Sequence, residues 1–299
     1  MFKEEILSKI KGSLAAKLQL PEDKPEETID SNLKALWFAA AGQPKSAEKA
    51  AGLPLPDITE QQVKVFHQLV EKRLNNTPLA YITGRQCFMD IELLADNRAL
   101  IPRKETEILG RKAVEVCTRA ALLKQEVRVI DVCCGAGNLA LALAHYNPAT
   151  VVNASDLSQK AVDLAQENIA KLNFGHRVQV TQGDLFSAFE TDSFYGKADL
   201  IVCNPPYISS AKVGKIHAEI SANEPTIAFD GGMLGINLIQ NLIGEASKFL
   251  TKEGWLLFEV GVGQGGFIIN ICENMQEYDK IESVSDNIGN IRVICARKK

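Results

Sequence analysis

The run Asn204-Pro205-Pro206-Tyr207 combines a carboxamide, two prolines and an aromatic ring, a set suited to holding a planar amino group. Consecutive prolines fix the backbone and remove two N–H donors, which leaves nearby carbonyl groups available as acceptors. The Asn204 side chain offers one carbonyl acceptor and two N–H donors. Tyr207 offers a flat face on which a planar group can stack. A plain turn followed by a packed tyrosine is the structural alternative.

These four residues, as candidate catalytic residues, predict a site for the –NH2 group of an amide or of a nucleic-acid base. The Asn204 side-chain oxygen and the Pro205 carbonyl oxygen can accept its two hydrogens. That orients the nitrogen and makes its delocalised lone pair a better nucleophile. Placing it in line with an electrophilic carbon would contribute several kcal/mol through proximity.

A second candidate site follows the apolar run Val127–Val132, which contains Asp131 near its end. The loop behind it consists of Cys133, Cys134, Gly135, Ala136 and Gly137. Glycines permit a sharp turn and close approach of a ligand to the backbone at the start of a helix. The spacings GxGxxG of dinucleotide sites and GxxxxGK[ST] of phosphate loops are both absent. Taken alone, this short motif is equally typical of a structural turn.

Acidic residues follow the next two predicted strands. Asp156 comes after Val151–Ala154, about 20 residues beyond the glycines, where a carboxylate can bind both hydroxyls of a ribose. Asp184 and Leu185 come after Val178–Thr181, where an acceptor can bind an adenine amino group and Leu185 or Phe186 can cover the ring. Helix capping is the alternative for each aspartate. An adenosyl group without pyrophosphate fits this edge best, and S-adenosylmethionine, with S-adenosylhomocysteine as product, is such a ligand.

The elements that position these residues alternate from residue 126 onwards. Short apolar runs alternate with helical stretches, which predicts an α/β fold with a parallel sheet covered on both faces. Turn-rich residues 286–290 between Ile281–Val284 and Ile291–Ala296 predict a closing antiparallel hairpin. The predicted helices span 105–122, 137–146, 158–172 and 234–251, and the remaining strands are Leu200–Cys203 and Trp255–Val260.

The preceding residues differ in pattern. Residues 1–76 show helical apolar spacing, and Thr59 followed by Gln62 is a capping-box signature. We therefore expect a small helical domain over 1–76, a hairpin linker over 77–104 and the α/β domain over 105–299.

Composition sets broad limits. The 299 residues are 46% hydrophobic and 23% charged, with a net charge of −4, which is ordinary for a soluble globular protein. The acidic balance argues against direct nucleic-acid binding. Seven cysteines without a CxxC pair and four histidines without metal spacing predict neither a disulfide framework nor a metal site. No apolar run is long enough to cross a membrane, so a cytoplasmic setting is expected.

Several segments together resemble the class I S-adenosylmethionine-dependent methyltransferases and, more narrowly, the HemK/PrmC family. That family comprises protein-(glutamine-N5) methyltransferases that modify peptide-chain release factors. The resemblance runs from about Thr77 to the end, and these segments carry it: Pro78–Gly84, Leu100–Glu107, the 131–137 loop, Asn204–Ile208, Glu224-Pro225, Ala228, Asp230–Gly232 and Gly235.

The resemblance implies a Rossmann-like sheet, a release factor as partner and methylation of the glutamine in its Gly-Gly-Gln loop. It implies substrate contacts at 204–207 and a helical bundle that engages the protein substrate. It also implies a set of cofactor-binding residues: Asp131, Cys133, Cys134, Gly135, Ala136, Gly137, Asp156, Asp184, Leu185 and Asn204. The family loop usually reads D-x-G-x-G-x-G, whereas Cys133 occupies its first glycine position. We expect Cys133 to keep the turn only if its φ is negative.

Three alternatives remain at this stage. An adenine-N6 methyltransferase acting on DNA or RNA would present the same two hydrogens to Asn204. Another protein, or a small molecule with an amide or amine, could be the acceptor. A non-catalytic adaptor could have kept the fold without the activity.

Overall fold

The structure, a computed structural model, describes residues 2–21, 23–206, 223–225 and 236–299. These residues form two compact units. The first comprises the described residues up to Lys104 with Asn223 and Glu224, and the second comprises the rest. Predictions concerning Tyr207, Ile208, Ala228, Asp230–Gly232 and Gly235 lie outside the described residues.

The first unit is mainly helical. Its described helices are α1 (Phe2–Lys17), α2 (Ile29–Ala40), α3 (Ala47–Ala51), α4 (Glu60–Leu74) and α5 (Leu79–Thr83). The capping box predicted at Thr59 and Gln62 is confirmed at the start of α4. The apolar faces of α1, α2 and α4 form one core, in which Trp37 packs edge-on against Phe66 with ring centroids 5.1 Å apart. Burial of these faces, rather than intrinsic propensity, stabilises such short helices.

A two-stranded antiparallel hairpin completes the first unit. Strand β1 (Arg85–Phe88) pairs with β2 (Ile91–Leu94), and Phe88 lies opposite Ile91. Met89 and Asp90 both have positive φ, as a two-residue turn of the type favoured in hairpins requires. The predicted hairpin is thus present, but the one-turn helix α5 before it was not anticipated. The division of the chain at residues 76 and 104 stays a prediction.

Buried ion pairs join distant parts of the first unit. Arg73, fully buried, donates to Glu27 (2.9 Å) and to the Asn32 side chain (2.8 Å). Arg103, also buried, donates to Glu224 (2.6 Å). Glu224 in turn accepts from the Ile101 backbone N–H (3.0 Å). Because each of these carboxylates faces a guanidinium, the cost of burying charge is offset within the protein.

The second unit is built on one sheet. Its described strands are β3 (Val127–Val132), β4 (Thr150–Asp156), β5 (Val178–Gln182), β6 (Ala198–Cys203), β7 (Leu250–Glu259), β8 (Tyr278–Ser285) and β9 (Ile291–Lys298). They lie in the order β5-β4-β3-β6-β7-β9-β8. Strands β3 to β7 are parallel, whereas β9 is antiparallel to both β7 and β8.

Helices cover this sheet. The described ones are α6 (Thr106–Ala121), α7 (Asn138–Tyr146), α8 (Gln159–Lys171), α9 (Asn237–Phe249) and α10 (Gly265–Glu273). Every residue of β6 is buried, as expected for a central parallel strand with both faces covered. The predicted α/β class, with a parallel sheet closed by an antiparallel hairpin, is confirmed. None of the helices among the described residues is long and apolar enough to cross a membrane.

Candidate active site

The candidate site lies where the strand order reverses. From β3 the chain proceeds outwards through β4 and β5, and then returns to add β6 on the other side of β3. Ligands of open α/β sheets bind beyond the carboxyl ends of the strands at such a point. Val132 of β3 lies opposite Cys203 of β6 and opposite Ser155 of β4. The residues that follow these three therefore share one edge of the sheet, with strands about 4.8 Å apart.

The glycine loop makes a tight turn at this edge. Gly135 and Gly137 both have positive φ, at 55° and 80°, and Gly137 precedes the first residue of α7. A Cβ at Gly137 would approach the Ala165 Cβ to 3.3 Å, so the loop also packs closely on α8. The Gly137 N–H donates to the Cys134 carbonyl (2.9 Å), which closes the turn. Ala136 is buried beneath it.

The prediction that Cys133 keeps the turn only with a negative φ is wrong. Its φ is 58°, in the left-handed region that glycine favours. For a residue with a Cβ, this backbone conformation is about 1 to 2 kcal/mol less favourable than the right-handed one. Cys133 packs against the apolar cluster that contains Cys203, and this packing stabilises the side chain in the turn. At the first glycine position of the family loop, Cys133 thus has a φ in the range that glycine favours.

Asp131 is fully buried beneath the loop. Its Oδ2 accepts from the Ala140 backbone N–H (3.0 Å) in the first turn of α7, whereas Oδ1 has no hydrogen-bond partner among the described residues. Burial raises the pKa of Asp131 to about 8, and the nearby Asp156 carboxylate raises it as well. The hydrogen bond from Ala140 acts in the opposite direction. Asp131 Oδ1 therefore remains available as a hydrogen-bond acceptor at a buried position.

Asp156 is the last residue of β4, and its carboxylate binds the backbone of the glycine loop. Its two carboxylate oxygens accept from the Gly135 N–H (2.8 Å) and the Ser158 N–H (2.9 Å). Burial raises the pKa of Asp156 in spite of these two bonds. A carboxylate has about four lone-pair positions, so two remain for hydroxyl groups of a ligand. The helix-capping alternative does not describe Asp156, because the N-cap of α8 is Ser158, whose side chain accepts from the Ala161 N–H.

Asp184 and Leu185 differ in their surroundings. Asp184 is exposed, and its backbone N–H donates to the Ser187 hydroxyl (2.8 Å). Leu185 has a φ of 46°, and its side chain is buried in the main core of the second unit. Its carbonyl accepts from the buried Ser155 hydroxyl (2.8 Å), which ties the end of β5 to that of β4. Sequence reasoning gave Ser155 no role.

Asn204 follows β6 directly and is half-buried, with Pro205 buried and Pro206 half-buried behind it. Its Nδ2 donates to the Thr106 hydroxyl oxygen (3.1 Å) at the start of α6. Sequence reasoning assigned no role to Thr106, although it lies within the segment Leu100–Glu107 that carries the family resemblance. Tyr207 lies outside the described residues. The roles predicted for the site residues as a set stay predictions.

The acidic side chains of Asp131 and Asp156 influence the thiols at the described part of this edge. The pKa of the Cys134 thiol lies well above its usual range because of burial and the adjacent Asp131 and Asp156 carboxylates. The pKa of Cys203 is raised in the same way, by burial and by a side-chain hydrogen bond with Cys133. These thiols are therefore protonated and unreactive. Among the described residues, no three His, Cys, Asp or Glu side chains cluster as metal ligands would.

Comparison with known proteins shows to which class of protein this fold belongs. A family profile described as "Methyltransferase small domain" matches residues 119–236. The solved catalytic domain of hMettl16, in complex with the MAT2A 3'UTR hairpin 6, superposes with a TM-score of 0.54 at 14% identity, covering 68% of this chain and 74% of that one. At that identity the likeness concerns the fold alone. The sheet topology and the profile match together define a class I methyltransferase.

Closer relatives identify the family within that class. A release factor glutamine methyltransferase of Thermodesulfovibrio yellowstonii is 36% identical over 81% of this chain and 84% of its own length. The protein of the same name from Gloeobacter violaceus is 33% identical over 80% of this chain and 81% of its own length. The chain belongs to the release factor glutamine methyltransferase family.

Proposed function

We propose that this protein transfers a methyl group from S-adenosylmethionine to the side-chain amide nitrogen of a glutamine in a peptide-chain release factor, the one in the Gly-Gly-Gln loop. The family membership and the polar groups around Asn204 support this proposal. A release factor works where translation ends, so the proposed substrate also supports a cytoplasmic setting.

The donor set at the switch point suits a cationic adenosyl ligand. Asp131 and Asp156 flank the glycine loop, and their mutual repulsion contributes to the raised pKa of Asp131. A sulfonium and an ammonium group would relieve that repulsion, whereas a phosphate would add to it. S-adenosylmethionine supplies an activated methyl group when bound. Asp131 would face its ammonium group and Asp156 its ribose.

The acceptor side depends on Asn204. A carboxamide nitrogen is a weak nucleophile because its lone pair is delocalised into the carbonyl group. When Asn204 Oδ1 and a backbone carbonyl at Pro205 accept its two hydrogens, the nitrogen is held in place and its developing positive charge is stabilised. Methyl transfer then forms one N–C bond, breaks one S–C bond and releases one proton from the nitrogen.

One observation carries the proposal most directly. Asn204 follows the β6 residue that pairs with the last residue of β3, so the residues proposed to bind the amide and the cofactor lie at adjacent strand ends. Direct transfer between two bound molecules requires this proximity.

The test is methylation in vitro. The purified protein is incubated with methyl-labelled S-adenosylmethionine and an unmethylated release factor, and the modified residue is located by mass spectrometry. We expect one methyl group on the glutamine of the Gly-Gly-Gln loop. The Asn204→Ala variant should lose about a hundred- to a thousandfold in kcat while keeping its thermal unfolding midpoint.

Two controls separate the alternatives. A release factor carrying Gln→Ala in that loop should remain unlabelled, and adenine-containing DNA and RNA should not be methylated. Label on nucleic acid instead of on the loop glutamine would refute the proposal. So would near-normal turnover of the Asn204→Ala variant.

A further inference from the structure

Asn204 has a protein partner of its own at the candidate site. Thr106 is 1% exposed, and its hydroxyl oxygen accepts a hydrogen bond from Asn204 Nδ2 at 3.1 Å. Asn204 itself is half-buried. The contact joins the first residue of α6 to the residue directly after β6. The buried Thr106 hydroxyl therefore binds Asn204, the side chain that we propose to bind the substrate amide.

Ion pairs anchor the helix start that carries Thr106. The preceding residue, Glu105, pairs with the buried Arg292 of β9 (2.9 Å). Arg292 also pairs with Glu259 (3.2 Å), the last residue of β7. Strand β7 lies beside β6, so this chain of contacts connects the start of α6 to the sheet near Asn204. These ion pairs therefore hold the turn that carries Thr106 in place.

The direction of the hydrogen bond matters for the chemistry. A carboxamide can rotate by 180° about its last bond, which exchanges its oxygen and its nitrogen with little change in shape. In the orientation with Nδ2 on Thr106, Oδ1 is the end left for a substrate hydrogen. In the flipped orientation an –NH2 group would face the substrate –NH2 group, and both would be donors.

We propose that Thr106 is a positioning residue that holds the Asn204 carboxamide in the place from which Oδ1 faces the substrate nitrogen. The inference rests on the proposed function, because the carboxamide has this task only when the acceptor is an –NH2 group. Thr106 acts through Asn204 and has no direct contact with the reacting atoms.

The kinetic test compares three variants. Thr106→Val removes the hydroxyl at nearly constant volume and should lower kcat about tenfold, a factor that matches one lost hydrogen bond. The KM for the release factor and the Kd for S-adenosylhomocysteine should stay within about twofold. Thr106→Ser keeps the hydroxyl and should restore most of the kcat. Thr118→Val makes the same chemical change on the exposed side of α6 and should have no effect.

Coupling to Asn204 gives a second kinetic criterion. In an Asn204→Ala background, Thr106→Val should cost no further activity, because there is no amide left to orient. An equal loss in both backgrounds, or a loss that appears in KM alone, would overturn the inference.

A spectroscopic test is independent of the substrate. The side-chain amide signals of Asn204, identified by their absence from the Asn204→Ala spectrum, should shift in Thr106→Val but not in Thr118→Val. Unchanged signals in Thr106→Val would overturn the inference. If the wild type and Thr118→Val both fail to methylate a release factor, the proposed function fails, and these spectra still decide the role of Thr106.

Discussion

Glu27 in the first unit and Asp131 in the second are both buried carboxylates, but their surroundings differ. Glu27 is 2% exposed and receives the Arg73 guanidinium at 2.9 Å. Asp131 is fully buried, yet its Oδ2 accepts from a backbone N–H, and Oδ1 has no hydrogen-bond partner among the described residues. Burial of a charge is costly unless a counter-charge and hydrogen bonds accompany it.

The difference separates a structural use of charge from a functional one. In the first unit the protein supplies the counter-charge, so the pair holds the segment before α2 against α4. At the loop after β3 the counter-charge would come from the proposed cationic ligand. A buried acid with an available oxygen is thus a better indicator of a binding site than burial alone.

The largest expected effect concerns the paired region. Arg73→Met should lower the free energy of unfolding by about 3 to 5 kcal/mol, because it leaves the Glu27 carboxylate buried without its guanidinium. Denaturant titration measures the change. The exposed pair of Lys11 with Asp30 (2.7 Å) serves as control, and Lys11→Met should cost at most about 1 kcal/mol. Equal losses in the two variants would remove the distinction between buried and exposed pairs.

The next effect concerns Asp131 Oδ1, which has no hydrogen-bond partner among the described residues. Asp131→Asn should weaken binding of S-adenosylhomocysteine about tenfold to a hundredfold, because an amide lacks the charge that faces the ligand ammonium. Isothermal titration calorimetry measures the affinity. Glu27→Gln, a matched change at the paired carboxylate, should leave the affinity per folded molecule unchanged. Unaltered affinity in Asp131→Asn would show that the oxygen serves another purpose.

The same residue predicts how the stability of the ligand-free protein depends on pH. The pKa of Asp131 is about 8 in the folded protein and about 4 when unfolded, so the folded state holds the extra proton between these values. Stability from this group is therefore present at low pH and is lost as the pH rises towards 8. Relative to Asp131→Asn, the wild type should lose at most about 1.4 kcal/mol per pH unit from pH 5 to 8. Parallel curves for the two proteins in thermal unfolding would contradict this.

The smallest effect concerns the strained turn. Cys133→Gly should change the free energy of unfolding by no more than about 1 kcal/mol, since relief of the left-handed conformation is offset by lost packing and backbone entropy. Cys133→Val should cost more, because a β-branched residue is poorly tolerated at positive φ. Denaturant titration of both variants gives the comparison. A larger loss for glycine than for valine would mean that packing, not backbone strain, dominates there.

Much of the second unit follows from the sequence. The predicted strand Val127–Val132 agrees with the structure in both bounds, and the final hairpin is present although its strands extend further. These elements are predictable because short apolar runs between turn residues reflect local burial. The edge on which the candidate residues meet was predictable too, since parallel strands in such folds end on one side.

The remaining features depend on contacts between residues far apart in the chain. Cys133 has a positive φ and packs against the cluster that contains Cys203, and no local pattern reveals this contact. Thr106 meets Asn204 across 98 positions of sequence. The one-turn helix α5 is too short for periodicity to detect.

Glu224 belongs to the first unit by contact, although more than a hundred residues of the second unit precede it along the chain. The helical unit therefore consists of two stretches of the chain and cannot be separated from the second unit by one cut. A graft of residues 1–104 onto another catalytic domain would lack the carboxylate that binds Arg103 and the Ile101 N–H. Shuffling of this module between enzymes, by recombination or by design, requires that both stretches travel together.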